Sequence, residues 1–136
     1  MRQIAESYGM EFVSTPRIYN TRLAHEATEY AREQGKGNEF HKVVFRKVYA
    51  EGQDLRQWDV RRSAAQEVGL DAEEMQRQVE NEKYRAKVVE QVRWAYQIGV
   101  TGVPTYVIND RYAIVGAQPY EVFKGALEQI MNQKPE

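Results

Sequence analysis

Two short runs rich in β-branched and aromatic residues, Thr105–Ile108 and 111–115, constrain the fold more than any other feature of the chain. The Asn109-Asp110 step between them suits a type I′ turn, because both side chains tolerate positive φ. The pair therefore reads as a hairpin with a two-residue connection. Tyr106, Ile108, Tyr112 and Ile114 then share one face, and Val107, Ala113 and Val115 share the other. A sheet apolar on both faces is expected to have helices on both sides. Alone, a two-stranded hairpin is marginal and leaves two open edges. The only other extended candidate is the brief run 10–13. Either helices wrap the hairpin, or further strands come from elsewhere.

The rest of the sequence reads as helices punctuated by Gly and Pro. Residues 2–8 form a helix with Ile4 and Tyr8 on one face and Gly9 as its stop, but no capping residue precedes it. A polar loop around Thr15-Pro16 follows 10–13. Asn20 or Thr21 caps a helix bearing Leu23, Ala27, Tyr30 and Ala31, which Gly35 ends. Asn38 caps the next, with a stripe of Phe40, Val43, Val44 and Val48 closed by Gly52. A helix over 58–68 places Val60, Ala64 and Val68 in register. Asp71 and Glu74 form a D-x-x-E capping box after Gly69. From Asn81 a longer helix carries Tyr84, Val88, Val92, Ala95 and Tyr96 to Gly99. Pro119 opens a terminal helix at its first position, burying Phe123, Ala126, Leu127 and Ile130.

The chain's 136 residues suffice for one domain, or one domain with a small insertion. Its 19 Lys+Arg and 20 Asp+Glu are interspersed, which leaves no broad field for nucleic acid or an anionic membrane. No apolar run reaches the ~18 residues of a membrane span, and no signal-peptide pattern opens the sequence. Cysteine is absent, which removes disulfides, thiolate metal sites and Cys nucleophiles from this chain.

Few residue patterns point to chemistry. His25-Glu26-x-x-Glu29 is half of a zinc-protease motif without its second His, and His41 has no ligand spacing to His25, so no metal site is expected. His25 suits capping or packing instead. Arg56, Arg61 and Arg62 cluster beside Trp58, but Glu51, Asp54, Asp59 and Glu67 surround them, as on a solvated helix face. Glu73 and Glu74 complement a helix dipole. The strongest local motif is Gly99-Val100-Thr101-Gly102-Val103-Pro104, running directly into a strand. A Pro at a strand entrance removes a ladder donor and leaves neighbouring backbone groups free for a ligand chain. The same residues also suit an ordinary helix-to-strand connection.

The stretch GVTGVPTYVINDRYAIVGAQPYEVFKGA, residues 99–126, resembles the C-terminal half of the DsbA-like branch of the thioredoxin superfamily, in particular its FrnE-like proteins. Asn20-Thr21-Arg22-Leu23-Ala24-His25 resembles the start of that family's inserted helical domain, and 71–99 its final helices. The resemblance implies a mainly helical α/β chain with a partial thioredoxin-like fold. Residues 1–19 would be a remnant of that fold with its linker, 20–98 the helical insertion, and 99–136 the cis-Pro loop, hairpin and last helix. It implies that Pro104 is the cis-Pro and that Val103 offers backbone hydrogen bonds to a polypeptide or glutathione-like thiol substrate. In the family this loop faces a Cys-x-x-Cys whose thiol pKa sets the redox poise.

Related kappa-class transferases and 2-hydroxychromene-2-carboxylate isomerases place Ser at the first Cys position. Val-Gly-Ala-Gln-Pro here, where the isomerases tend to show Trp-Gly-Gln-Asp, fits the oxidoreductase branch better. The family's first strand, active-site helix and second strand would precede Met1, so the resemblance implies a truncated, cytoplasmic chain without its dithiol half. The expected substrate-binding residues are Val103 and Pro104, with no catalytic residue, metal or cofactor. The alternatives are a binding or assembly module that pairs through its bare strand edge, as a homodimer would, and a glutathione-dependent isomerase or transferase relative.

Overall fold

The computed structural model describes residues 2–13 and 20–132. Among these the chain is mostly helical with one two-stranded sheet. The order is α1 (Arg2–Ser7), α2 (Arg22–Glu33), α3 (Gly37–Tyr49), α4 (Trp58–Glu67), α5 (Ala72–Glu80), α6 (Arg85–Gln97), β1 (Thr105–Ile108), β2 (Tyr112–Val115) and α7 (Tyr120–Asn132). The expected loop around Thr15-Pro16 lies outside the described residues. Two compact units result, one ending at Gln91 and one starting at Val92, so α6 runs from the first into the second.

The first unit owns the core. Helices α2, α3, α4 and α5 pack in a closed ring, α2 against α3 and α5, and α4 against α3 and α5. Phe40, Ala27, Ala31, Ala64, Ala65 and Met75 are fully buried at its centre. The small residues matter here: alanines on α2 and α4 let the helices approach while Phe40 and Met75 fill the remaining volume. Tyr84 and Val88 are buried as α6 begins.

Several helix ends differ from the sequence expectation. Asn20 and Thr21 share the start of α2: Thr21 holds the cap position without a side-chain cap bond, while Asn20 Oδ1 accepts from the Arg22 N–H at 2.9 Å. The cap of α3 is Lys36, not Asn38, which lies in its first turn. Gly37 is placed there by a close approach, since a Cβ on it would stand 2.5 Å from Arg32 Cγ. Asp71 caps α5 as expected, accepting from the Glu74 N–H at 2.9 Å. Asn81 does not begin a helix but ends α5. Glu82 follows with φ +55 and Lys83 N–H donates to Gln78 C=O at 3.1 Å, which delays α6 to Arg85. Pro119 precedes α7 rather than opening it. Residues 10–13 form no strand; Val13 N–H makes a single bond of 2.6 Å to Tyr49 C=O.

In the second unit, β1 and β2 pair antiparallel, with Tyr106 opposite Ile114 and Ile108 opposite Tyr112. Asn109 and Asp110 take the expected positive φ, 54° and 52°, and Arg111 N–H closes the turn on Ile108 C=O at 3.2 Å. The register nevertheless gives a three-residue connection, because Arg111 is left outside the ladder and β2 starts at Tyr112. That extra residue brings Tyr106, Ile108, Tyr112 and Ile114 onto one face. Phe123 of α7 meets Tyr106 of this face edge-on, with ring centroids 4.9 Å apart. The opposite face, carrying Val107 and Val115, is about half exposed, contrary to a hairpin covered on both sides. No described residue from Val92 onward is buried, the expected apolar positions of α7 included. No helix of the described residues is long and apolar enough to cross a membrane.

Candidate functional site

The loop 99–104 is built from both ends. Helix α6 stops with Gly99 at φ +81 and Val100 N–H on Ala95 C=O at 2.9 Å, a Schellman closure that only a left-handed residue allows at no steric cost. At the other end, Thr105 Oγ1 donates to Gly102 C=O at 2.7 Å and holds the loop against the start of β1. The Val103–Pro104 peptide bond is cis, and Val103 is 90% exposed.

Gly116 N–H donates to Pro104 C=O at 2.7 Å, which joins this loop to the Val-Gly-Ala-Gln-Pro segment after β2. Pro104 returns no N–H, and the Gly116 C=O accepts instead from Gln118 N–H at 3.0 Å, while Gln118 Nε2 donates to Val115 C=O at 2.9 Å. A Pro is tolerated here because a turn satisfies the acceptor that its missing donor would have left open. The Pro104–Gly116 bond also fixes the parity of the ladder. Residues 104, 106 and 108 turn their backbone groups towards β2, so Thr105 and Val107 turn theirs to the other edge of β1. The two segments singled out in the sequence thus meet at one rim, which offers backbone donors and acceptors beside an apolar side chain. Such a rim can bind an extended chain. It carries no nucleophile, acid or base.

The other candidates fall elsewhere. No group of three or more His, Asp or Glu among the described residues could hold a metal ion. His25 Nε2 lies 3.3 Å from Thr21 Oγ1 at the start of α2. Its pKa is lowered by desolvation first, then by the His41 and Arg32 charges, with Glu29 opposing them. The Arg cluster beside Trp58 is not one solvated face. Arg61 is buried, donates to the Leu55 and Arg56 carbonyls and lies over the Trp58 ring, whereas Arg56 pairs with Asp54 and Arg62 with Glu73. Open concavities lie along Gly125, Glu128, Gln129 and Asn132 of α7 and along 9–13 near Ala50, and Val103 lines neither.

Sequence reasoning missed the buried carboxylates of α2. Glu26 is fully buried and receives Arg22 Nη1 at 2.8 Å. Glu29, with a side chain only 3% exposed, collects Arg32 of its own helix, Lys87 Nζ at 2.6 Å and Gln91 Nε2 at 3.2 Å, both from α6. Burial works to raise its pKa, but the bonds from Lys87 and Gln91 and the charges of Arg32 and Lys87 outweigh it and leave the carboxyl below its usual range. The only local signal was two glutamates flanking Ala27 on the apolar side of α2.

Comparison with known proteins concerns the chain as a whole. The family model of the DSBA-like thioredoxin domain matches residues 1–128. The chain is 30% identical over 138 residues to the uncharacterized protein YwbO of Bacillus subtilis (strain 168), covering 98% of this chain and 68% of that protein. Its fold is similar to the crystal structure of a probable DsbA oxidoreductase, SCO1869, from Streptomyces coelicolor, with a TM-score of 0.83 and 31% identity. That match covers 97% of this chain and 58% of the other. A 2-hydroxychromene-2-carboxylate isomerase shares the fold with a TM-score of 0.82 at 22% identity, over 97% of this chain and 64% of its own. The chain therefore spans under two thirds of either solved relative.

Proposed function

We propose, from the premise that this chain belongs to the DSBA-like thioredoxin domain family, that it is a disulfide-oxidoreductase-like chain that binds substrate at Val103 and Pro104 and turns over no disulfide by itself. One observation carries the reading: the exposed Val103, with its backbone on an open rim, is tied through Pro104 and Gly116 to the Val-Gly-Ala-Gln-Pro segment. The substrate class is an extended polypeptide or a glutathione-like thiol, held by backbone hydrogen bonds. Exchange requires a thiolate and a mixed disulfide, and the 136 residues contain no Cys. Within this reading residues 20–98 are a helical insertion between two parts of a thioredoxin-like fold, and the compartment is the cytoplasm. The isomerase or transferase alternative draws only on a shared fold.

The test is an insulin-disulfide reduction assay with the purified 136-residue chain and dithiothreitol, with S-methylglutathione titrated separately. No acceleration over dithiothreitol alone, together with S-methylglutathione perturbing the Val103 amide resonance, is expected. Measurable exchange overturns the inactive reading, and an unperturbed Val103 overturns the binding assignment. A second reading, an assembly module, is favoured by the edge of β1, which has no strand beside it among the described residues.

A further inference from the structure

We propose that Gln118 is the positioning residue of the Val103–Pro104 loop, acting through the peptide group between Val115 and Gly116. Its effect on ligand binding rests on the reading of Val103 given above; its hold on the loop does not.

Strand β2 ends at Val115, opposite Thr105, and the chain turns there. The turn is made at Gly116, with φ +87, where no Cβ resists rotation of the peptide groups on either side. Gln118 takes hold of both. Its backbone N–H donates to Gly116 C=O at 3.0 Å, which fixes the peptide group after Gly116. Its Nε2 donates to Val115 C=O at 2.9 Å, which fixes the one before. A Cβ on Gly116 would stand 3.3 Å from Gln118 Nε2, so the carboxamide lies against the pivot itself.

The peptide group before Gly116 is the one that reaches the loop. Its C=O receives Gln118, and its N–H, on the opposite side of the same plane, donates to Pro104 C=O at 2.7 Å. The groups form one chain in which each hydrogen bond polarises the next. Gln118 thereby sets the tilt of the donor that holds Pro104, and strengthens it. Thr105 Oγ1 holds Gly102 C=O, so Val103 lies between two tethered residues. The side chain has to be Gln. Asn is one methylene shorter and falls short of the carbonyl, and an ionised Glu brings an acceptor to an acceptor. Pro119 disfavours helical geometry at Gln118, which keeps it outside α7.

The test compares wild type with Gln118→Glu and Gln118→Asn by residue-resolved amide exchange and by S-methylglutathione titration. At pH 7 the Gly116 amide should exchange roughly tenfold faster in both variants, while Tyr106 and Ile108, within the hairpin, stay unchanged. At about pH 3.5 a protonated Glu donates its O–H to Val115 C=O. Gln118→Glu should then match the wild-type Gly116 rate at that pH, and Gln118→Asn should not. At pH 7 the Val103 resonance should need roughly fivefold more S-methylglutathione in either variant. An unchanged Gly116 rate overturns the proposal. So does a Gln118→Glu defect that persists on protonation, or a loss of protection shared by Tyr106 and Ile108, which marks a loosened hairpin. A wild-type Val103 titration in a variant with a fast Gly116 amide overturns it as well. If S-methylglutathione leaves Val103 unperturbed in the wild type, the binding reading alone fails, and the Gly116 rates still decide the positioning.

Discussion

Glu29 is the residue whose removal tests the physical account of the first unit most directly. Its carboxylate ties α2 to the first half of α6 through Lys87 and Gln91, and α6 leads through Gly99 into the 99–104 loop. Glu29→Gln keeps the volume and removes the charge, so no cavity complicates the result. A hydrogen bond to a charged group contributes about 1.5–3 kcal/mol, and breaking a fully buried ion pair costs about 3–5 kcal/mol. The Arg32 and Lys87 side chains are 57% and 54% exposed, so both cations regain water once the carboxylate is gone. The cost should therefore fall to about 2 kcal/mol. With a urea m-value of ~2 kcal/mol/M, that lowers the midpoint by about 1 M.

The pH dependence separates this account from simple mispacking. In the folded chain the Glu29 carboxyl is held below its ordinary 4.5, so it binds fewer protons than when unfolded. The stability it confers is complete above 4.5 and is lost as pH falls through the lower native value. Gln does not titrate. The gap between wild type and Glu29→Gln in urea titrations should be widest at neutral pH and close progressively below 4.5. A gap unchanged between pH 7 and pH 3, or one below about 0.5 kcal/mol at pH 7, refutes the reasoning.

His25 is expected to act in the same direction at higher pH. The fold lowers its pKa by desolvation and by the His41 and Arg32 charges, so stability is lost as pH falls from the ordinary 6.5 to the native value. Thermal melts of His25→Asn at pH 7.5 and 5.5 should show a smaller drop than wild type, and equal drops refute this. In the hairpin, Asp110→Gly relieves a φ of +52° at a cost in unfolded-chain entropy, for a net gain of about 0.5 kcal/mol. Slower exchange of the Tyr106 and Ile108 amides measures it; faster exchange refutes it.

What could be read from the sequence followed local physics. The stripes of α2 and α3 were visible because Ala27, Tyr30 and Ala31, and Phe40 and Val44, recur at helical spacing and do face the core. The Asp71 cap was visible because its acceptor lies three residues from its donor. The starts of α3 and α6 were misread for lack of a side-chain signal. Close packing of Gly37 on Arg32 sets the first, and Glu82 in the left-handed region, where Gly is usual, sets the second. The buried Glu29 was invisible because its partner Gln91 stands 62 residues away, and Arg61 because backbone carbonyls, not acids, receive it. The Val103–Pro104 loop was legible as a motif, but its link to the Val-Gly-Ala-Gln-Pro segment required the Pro104–Gly116 bond.

The second unit carries little burial of its own among the described residues. Trp94, Tyr96, Val103, Tyr120 and Met131 are each more than half exposed, and the sheet has α7 against one face. At about 25 cal/mol per Å² of apolar surface removed from water, such residues are where added contacts stabilise most. A chain laid along β1 would add backbone hydrogen bonds at Thr105 and Val107 and cover Val107 and Val115 in the same event. Anything that pairs with β1 should therefore raise the protection of the hairpin before that of the α2–α5 core.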